Sequence, residues 1–179
     1  MPVSVHQLRP ANWRRFRDVR LIALADTPDA FGSTLEAEQQ FSDEVWMKRL
    51  GRDNAATFVA VDEDGVDSGL IVAAPYNDQA GLYAMWVSSS VRRQGVGSML
   101  VNSVIEWSQS RRFSKLLLDV GDTNGAAIAL YSSIGFQPTG KTGTLPEPRQ
   151  HVLEHQRALS LNNEGEQGGA QQPRARSVV

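Results

Sequence analysis

The sequence contains no cysteine, which removes disulfides, thiolate metal sites and a cysteine nucleophile from consideration while leaving the redox compartment open. It contains no apolar run long enough to cross a bilayer, and residues 1–6 show no basic stretch leading into one. The expectation is a cytoplasmic protein without a membrane partner. A strong excess of one charge is missing too: the formal net charge is -2 over 179 residues, which argues against a general nucleic-acid binder and means that an acidic ligand needs a local basic site. Arg14, Arg15, Arg17 and Arg20 cluster on one segment, but they surround the polar part of a helix whose other side carries Trp13, Phe16 and Leu24, so a solvated face is their expected meaning. No internal repeat is evident. What is present is a chain that is 41% apolar and long enough for one domain with a sizeable core.

Short strand patterns alternate with helical ones. Residues 3–8 alternate as a first strand, and Pro10 opens a helical pattern through Leu24 that the 26–32 segment breaks. Ser33 and Glu36 have capping-box spacing for a second helix, and Ser42 is placed to cap a third through Trp46 and Leu50. Strands are expected at 57–62 and 68–76, joined as a hairpin across Asp64-Gly65, and again at 82–87. A periodic helix at 98–111 and a continuous apolar strand at 116–120 complete a βαβ unit. Asn124 caps a helix that ends at Gly135, and 136–141 and 152–159 supply two last strands. The domain expected is 1–160. Residues 161–179, rich in Gly, Gln and Arg and nearly free of apolar side chains, read as a disordered tail that cannot offset its ordering entropy.

The informative stretch is Met85-Trp86-Val87 followed by Arg92-Arg93-Gln94-Gly95-Val96-Gly97-Ser98 at the start of a helix. A diphosphate needs converging N–H donors, which the first turn of a helix supplies together with the positive end of its dipole. Glycines at 95 and 97 allow close approach and positive φ, and Arg92 and Arg93 add charge. A dinucleotide fingerprint would need glycine where Leu100 stands, and no Gly-Lys-Ser/Thr follows for a P-loop. An ordinary strand-to-helix loop with two glycines is the plain alternative.

Arg92-x-x-Gly95-x-Gly97, followed by Asn124-Gly125-Ala126-Ala127-Ile128-Ala129-Leu130-Tyr131-Ser132-Ser133-Ile134-Gly135-Phe136, resembles the GNAT superfamily of acetyl-CoA-dependent N-acetyltransferases, with its Q/R-x-x-G-x-G/A and N-x-x-A-x-x-L-Y-x-x-x-G-F segments. The resemblance spans residues 3–159, with sharp motifs only in 82–140. It implies an α/β (α+β) fold: a mixed, mostly antiparallel central sheet with a splayed parallel strand pair and flanking helices. It further implies transfer of an acetyl group from acetyl-CoA to a small-molecule or protein amine by direct attack. The backbone of Met85, Trp86 and Val87 would pair with pantetheine, Arg92 to Ser98 would hold the pyrophosphate, and Asn124 and Tyr131 would border the cofactor. One departure is Ser88-Ser89-Ser90, where the family often has a proline. The resemblance leaves a homodimer open. A CoA-binding sensor that has lost turnover is the alternative from another class.

Acyl transfer needs a deprotonated amine, a stabilised oxyanion and a proton for the departing thiolate. Tyr131 matches the family's general-acid tyrosine, and a phenol with a pKa near ~10 stays protonated at neutral pH. A tyrosine packed in the core is the plainer alternative. A strand N–H near Trp86 or Val87 would meet the oxyanion. For the base, Glu36 and Glu38 follow Phe31 in the helix that borders the family's acceptor site, with Glu38 slightly favoured; the alternatives are that Glu36 caps its helix and Glu38 is solvated. Asp119 is a further carboxylate candidate, and His6 looks remote. Acceptor choice is expected from residues 26–38 and 142–150. His151-Val152-Leu153-Glu154-His155 matches a zinc-protease pattern, but on a strand the two histidines would stand ~13 Å apart and could not share a metal, so none is expected.

Overall fold

The computed structural model describes residues 3–161. The expected tail therefore lies outside the described residues, except Leu161, which is buried in the core with its N–H donating to Ser114 O.

In chain order the elements are β1 (Ser4–Gln7), α1 (Trp13–Asp26), α2 (Leu35–Gln39), α3 (Asp43–Leu50), β2 (Ala56–Val61), β3 (Asp67–Tyr76), β4 (Gln79–Val87), α4 (Val96–Ser110), β5 (Lys115–Gly121), α5 (Gly125–Ile134), β6 (Gln137–Thr144) and β7 (Leu153–Ser160). They form one sheet of seven strands in the order β1-β2-β3-β4-β5-β7-β6. Every neighbouring pair is antiparallel except β4–β5. The expected fold class is the one observed.

Strand alternation divides the core in two. Phe58 and Ala60 of β2 pack with Val96, Leu100, Val101 and Val104 of α4, whose i, i+4, i+5, i+8 spacing makes one helix face apolar. Val59 between them faces the other way, onto Trp13, Phe16 and Val19 of α1 and Trp46 of α3. Phe16 meets the Trp46 ring edge-on at 5.7 Å. Tyr131 of α5 and Phe136 join the α4 side, where α5 is capped by Asn124, which accepts from Ala127 N, and is stopped by Gly135 at φ 115.

Two local expectations are corrected. Thr34, not Ser33, caps α2, its hydroxyl accepting from Ala37 N at 3.2 Å. Strand β4 begins at Gln79, three residues before the apolar run, because Asn77 at φ 55 lets the chain reverse tightly out of β3.

The two parallel strands hardly pair. Only Ala80↔Leu116 and Gly81↔Leu117 are in register, after which β4 stays with β3 and β5 stays with β7. A bulge marks the parting: Leu70 opposes Trp86 and Val72 opposes Tyr83, so Ala84 and Met85 face Ile71 alone, and Ala84 adopts φ 56. Such an extra residue bends and twists its strand, which carries β4 away from β5.

Candidate active site

A cavity of about 570 Å³ occupies the split, lined by Leu82 and Met85 from β4, Asp119 to Gly121 from β5, and Tyr131 of α5 with its cap Asn124. Its other walls come from the 28–34 loop, α1, the end of α3 and the 145–154 segment. The two stretches expected to choose the acceptor thus meet there. Arg149 joins them: it is buried and donates to Pro28 O and, at 3.0 Å, to Ser33 O.

The Arg92 to Ser98 turn lies outside that cavity, next to it. Met85 lines the cavity, and its Cε comes within 3.2 Å of where a Cβ on Gly97 would stand. Among the described residues, the backbone N–H groups of Gly95, Val96, Gly97 and Ser98 have no acceptor; the first bond of α4 is Met99 N to Gly95 O. Four free amides at the positive end of a 15-residue helix form a site shaped for an anion.

The side chains of the turn divide differently from the expectation. Arg92 does not offer a free charge: its guanidinium donates to Asp26 Oδ2 at 2.8 Å and to Val87 O at 2.9 Å, while Trp86 Nε1 reaches the same Asp26 oxygen at 2.9 Å. Arg92 and Trp86 therefore fasten the turn to the end of α1. Gln94 donates to Ser90 O, and Arg93, exposed at φ 63, is the cation of the turn without a partner among the described residues. Gly95 takes φ 81, as expected, but Gly97 is helical; its missing Cβ makes room for Leu130, whose Cδ2 would lie at 2.9 Å.

Tyr131 is buried against Phe136 and lines the cavity, and burial pushes its phenol well above the ordinary value. It stays protonated throughout the neutral range.

Glu36 is exposed and contributes nothing to the cavity, whereas Phe31 is buried in its wall under Arg20, whose Cζ lies 4.5 Å from the ring. Glu38 is 0% exposed and receives Arg20 Nη2 at 2.8 Å, Arg20 Nε at 3.1 Å and Arg49 Nη1 at 2.9 Å. Burial opposes its charge, but the hydrogen bonds and charges of Arg20 and Arg49 outweigh that and hold its carboxyl below the usual range. Neither a solvated Glu38 nor a solvated Arg20 is observed. Arg20 is only 5% exposed, and Arg15 pairs instead with Asp67 at 2.7 Å.

Sequence reasoning missed the carboxylate opposite. Glu154 of β7 is half-buried and lines the cavity. Burial and then the charge of Asp119 raise its pKa, with Arg149 opposing. Gln156, two residues on and on the same face, donates at 2.8 Å to Tyr76 OH, which donates at 2.9 Å to Asp119. Tyr83 stacks on Tyr76 at 6.2 Å, and burial, then Tyr76 and Asp119, push its phenol up to about 12. The one signal for Glu154 in the sequence is its place as the glutamate of the zinc-protease pattern at 151–155. His155 lies in β7 and His151 in the turn before it, and no cluster suited to a metal occurs among the described residues.

A mixed sheet opened at its parallel pair, with a helix start offering free amides beside the opening and a buried tyrosine inside it, defines a class of α/β proteins that can hold a long, anion-bearing ligand across the split. Residues 16–136 match the acetyltransferase (GNAT) family, and the chain belongs to it. It is 32% identical over 105 residues to N-acetyltransferase 8 of Homo sapiens, covering 55% of this chain and 46% of that protein. The chain thus spans about half the length of the curated relatives it matches. Among solved structures, a GNAT superfamily phosphinothricin acetyltransferase from Sinorhizobium meliloti in complex with AcCoA superposes with a TM-score of 0.74 at 16% identity, covering 96% of this chain and 95% of that one. The ribosomal-protein-S18-alanine N-acetyltransferase from Escherichia coli superposes at 0.67 with 19% identity, over 94% and 99%. These likenesses establish the fold. No helix among the described residues is long and apolar enough to cross a membrane.

Proposed function

We propose that the protein transfers an acetyl group from acetyl-CoA to a primary amine. The observation that carries this reading is the split between β4 and β5, with Tyr131 in the cavity it opens and unpartnered amides at Gly95 to Ser98 beside it. The anionic diphosphate of CoA suits those amides and Arg93, and the strand edge left bare from Leu82 onward suits the pantetheine amides. The AcCoA bound by the S. meliloti neighbour supports the same choice.

Glu154 is the base in this reading, a role that Glu38, with both oxygens engaged by guanidiniums, fills poorly. The amine gives a proton to Glu154, directly or through water, and its lone pair attacks the thioester carbonyl. A strand N–H of Trp86 or Val87 receives the oxyanion. As the C–N bond forms and the C–S bond breaks, Tyr131 passes its proton to the thiolate, and the second proton of the nitrogen, lost as the amide forms, restores the phenol. The proposal includes the cytoplasmic setting and metal independence expected from the sequence, and a chelator that leaves the rate unchanged checks the latter.

Thiol release from acetyl-CoA over a panel of amines tests the activity. Tyr131→Phe is expected to lower kcat by roughly 10²–10⁴-fold while leaving CoA affinity within a few-fold. CoA binding without turnover by the parent protein, whatever the amine, would support the sensor instead.

A further inference from the structure

The cavity is electrically divided. On the wall built by α1 and the end of α3 stand the guanidiniums of Arg20, Arg49 and Arg52, of which Arg20 and Arg49 share one buried carboxylate, Glu38. Three cations against one anion leave two positive charges in excess there. Their hydrogen bonds are also incomplete. Arg20 Nη1 is buried with no partner, Arg49 uses only Nη1, and Arg52 has no partner among the described residues. Arg20 Nη1 is enclosed, but the free N–H groups of Arg49 and the exposed Arg52 line the cavity, where an anion can receive them as charge-assisted hydrogen bonds.

The opposite wall carries the reverse sign. Asp119 and Glu154 both line it, and neither has a cation within ion-pair distance among the described residues. Tyr83, also in the lining, feels both charges: after burial, Asp119 helps to push its phenol up and Arg52 opposes. Asp29, exposed at the neighbouring turn, is the one further carboxylate of the lining.

Resting on the acetyltransferase reading, we infer that the acceptor is a small amine that also carries a carboxylate, its ammonium drawn to Asp119 and Glu154 and its anion to Arg20, Arg49 and Arg52. A polyamine would set a second cation against the arginines. A peptide N-terminus, whose carboxyl is already an amide, offers the arginines a carbonyl acceptor but no counter-charge. An amino acid with a free carboxylate answers both walls.

The test is a matched series of α- and ω-amino acids, each with its amide and its decarboxylated amine, read by thiol release from acetyl-CoA. The best acid is expected to exceed its amide in kcat/KM by about tenfold or more, the usual scale of one charge-assisted hydrogen-bond pair. Arg52, exposed and without a side-chain partner among the described residues, can be replaced without disturbing the fold. Arg52→Gln is expected to cut the acid-to-amide ratio about tenfold, and Arg52→Lys to keep most of it. Amides or diamines that react as well as the acids, or an Arg52→Gln variant with an unchanged ratio, overturn the inference and leave the acetyltransferase reading standing. No turnover with any amine overturns both.

Discussion

Replacing Glu38 separates a structural carboxylate from a catalytic one. In Glu38→Ala the guanidinium of Arg20, itself 5% exposed, loses its counter-charge and the acceptor of its Nε and Nη2 groups, while its Nη1 already lacks a partner. Removing one member of a buried pair costs about 3–5 kcal/mol, because the other charge stays desolvated. Arg49 adds little, being 36% exposed in its side chain and screened by water. Against a total stability of ~5–15 kcal/mol, the loss should lower Tm by roughly 6–20 °C in a domain of this size. Glu38→Gln keeps the volume and one acceptor oxygen and should cost about 1–3 kcal/mol. Urea titration followed by tryptophan fluorescence reads both, since Trp46 packs close to the pair, and the m-value should not change. The sign with pH follows from the direction of the shift: a carboxyl held below its ordinary pKa in the fold stabilises fully above the unfolded value of ~4.3 and loses that contribution as pH falls through the folded one. The gap between parent and Glu38→Gln should therefore close in acid. At neutral pH the folded fraction of Glu38→Gln should keep kcat within a few-fold. A stability loss under about 1 kcal/mol for Glu38→Ala, or a hundredfold loss of kcat in a stable Glu38→Gln, would refute this placement and return Glu38 to the role of base.

Two further outcomes are expected. Burial and the charge of Asp119 raise the pKa of Glu154, so it ionises at higher pH than an unperturbed glutamate and kcat/KM should rise with pH on the acid side; Glu154→Gln should lose that limb with little change in Tm. A limb that survives in Glu154→Gln would point to another base. Arg149→Met removes the link from the 145–152 segment to Pro28 and Ser33, and should raise the acceptor KM about tenfold while the KM for acetyl-CoA holds; equal changes in both would show that Arg149 supports the whole site.

Much of the architecture was legible in the sequence because its signals are local. The alternation of β2, β3 and β7, the periodicity of α4, the Asn124 cap and the Gly135 stop each depend on residues within a turn or two. The Arg92 to Ser98 turn is local as well: a strand, two glycines and a helix start suffice to place free amides there. Errors arose where a side chain's role depends on what the fold brings to it. Arg92, Arg20 and Glu38 all read as candidates for solvent or ligand, and each turned out to be held by a partner 18 to 66 positions away. The bulge at Ala84 and Met85, which opens the sheet, has no sequence signature, since Ala84 is an unfavourable choice for positive φ.

The sequence by itself therefore determined the order of elements, the glycine turn with its free amides and the position of Tyr131, through periodicity, caps and glycines that act over a few residues. Only the tertiary structure decided which charges are paired and which are free. That is a matter of burial and long-range partners: it withdrew Arg92 from the turn's open charge, enclosed Glu38 between arginines, and set Glu154 and Asp119 across a cavity from Arg52.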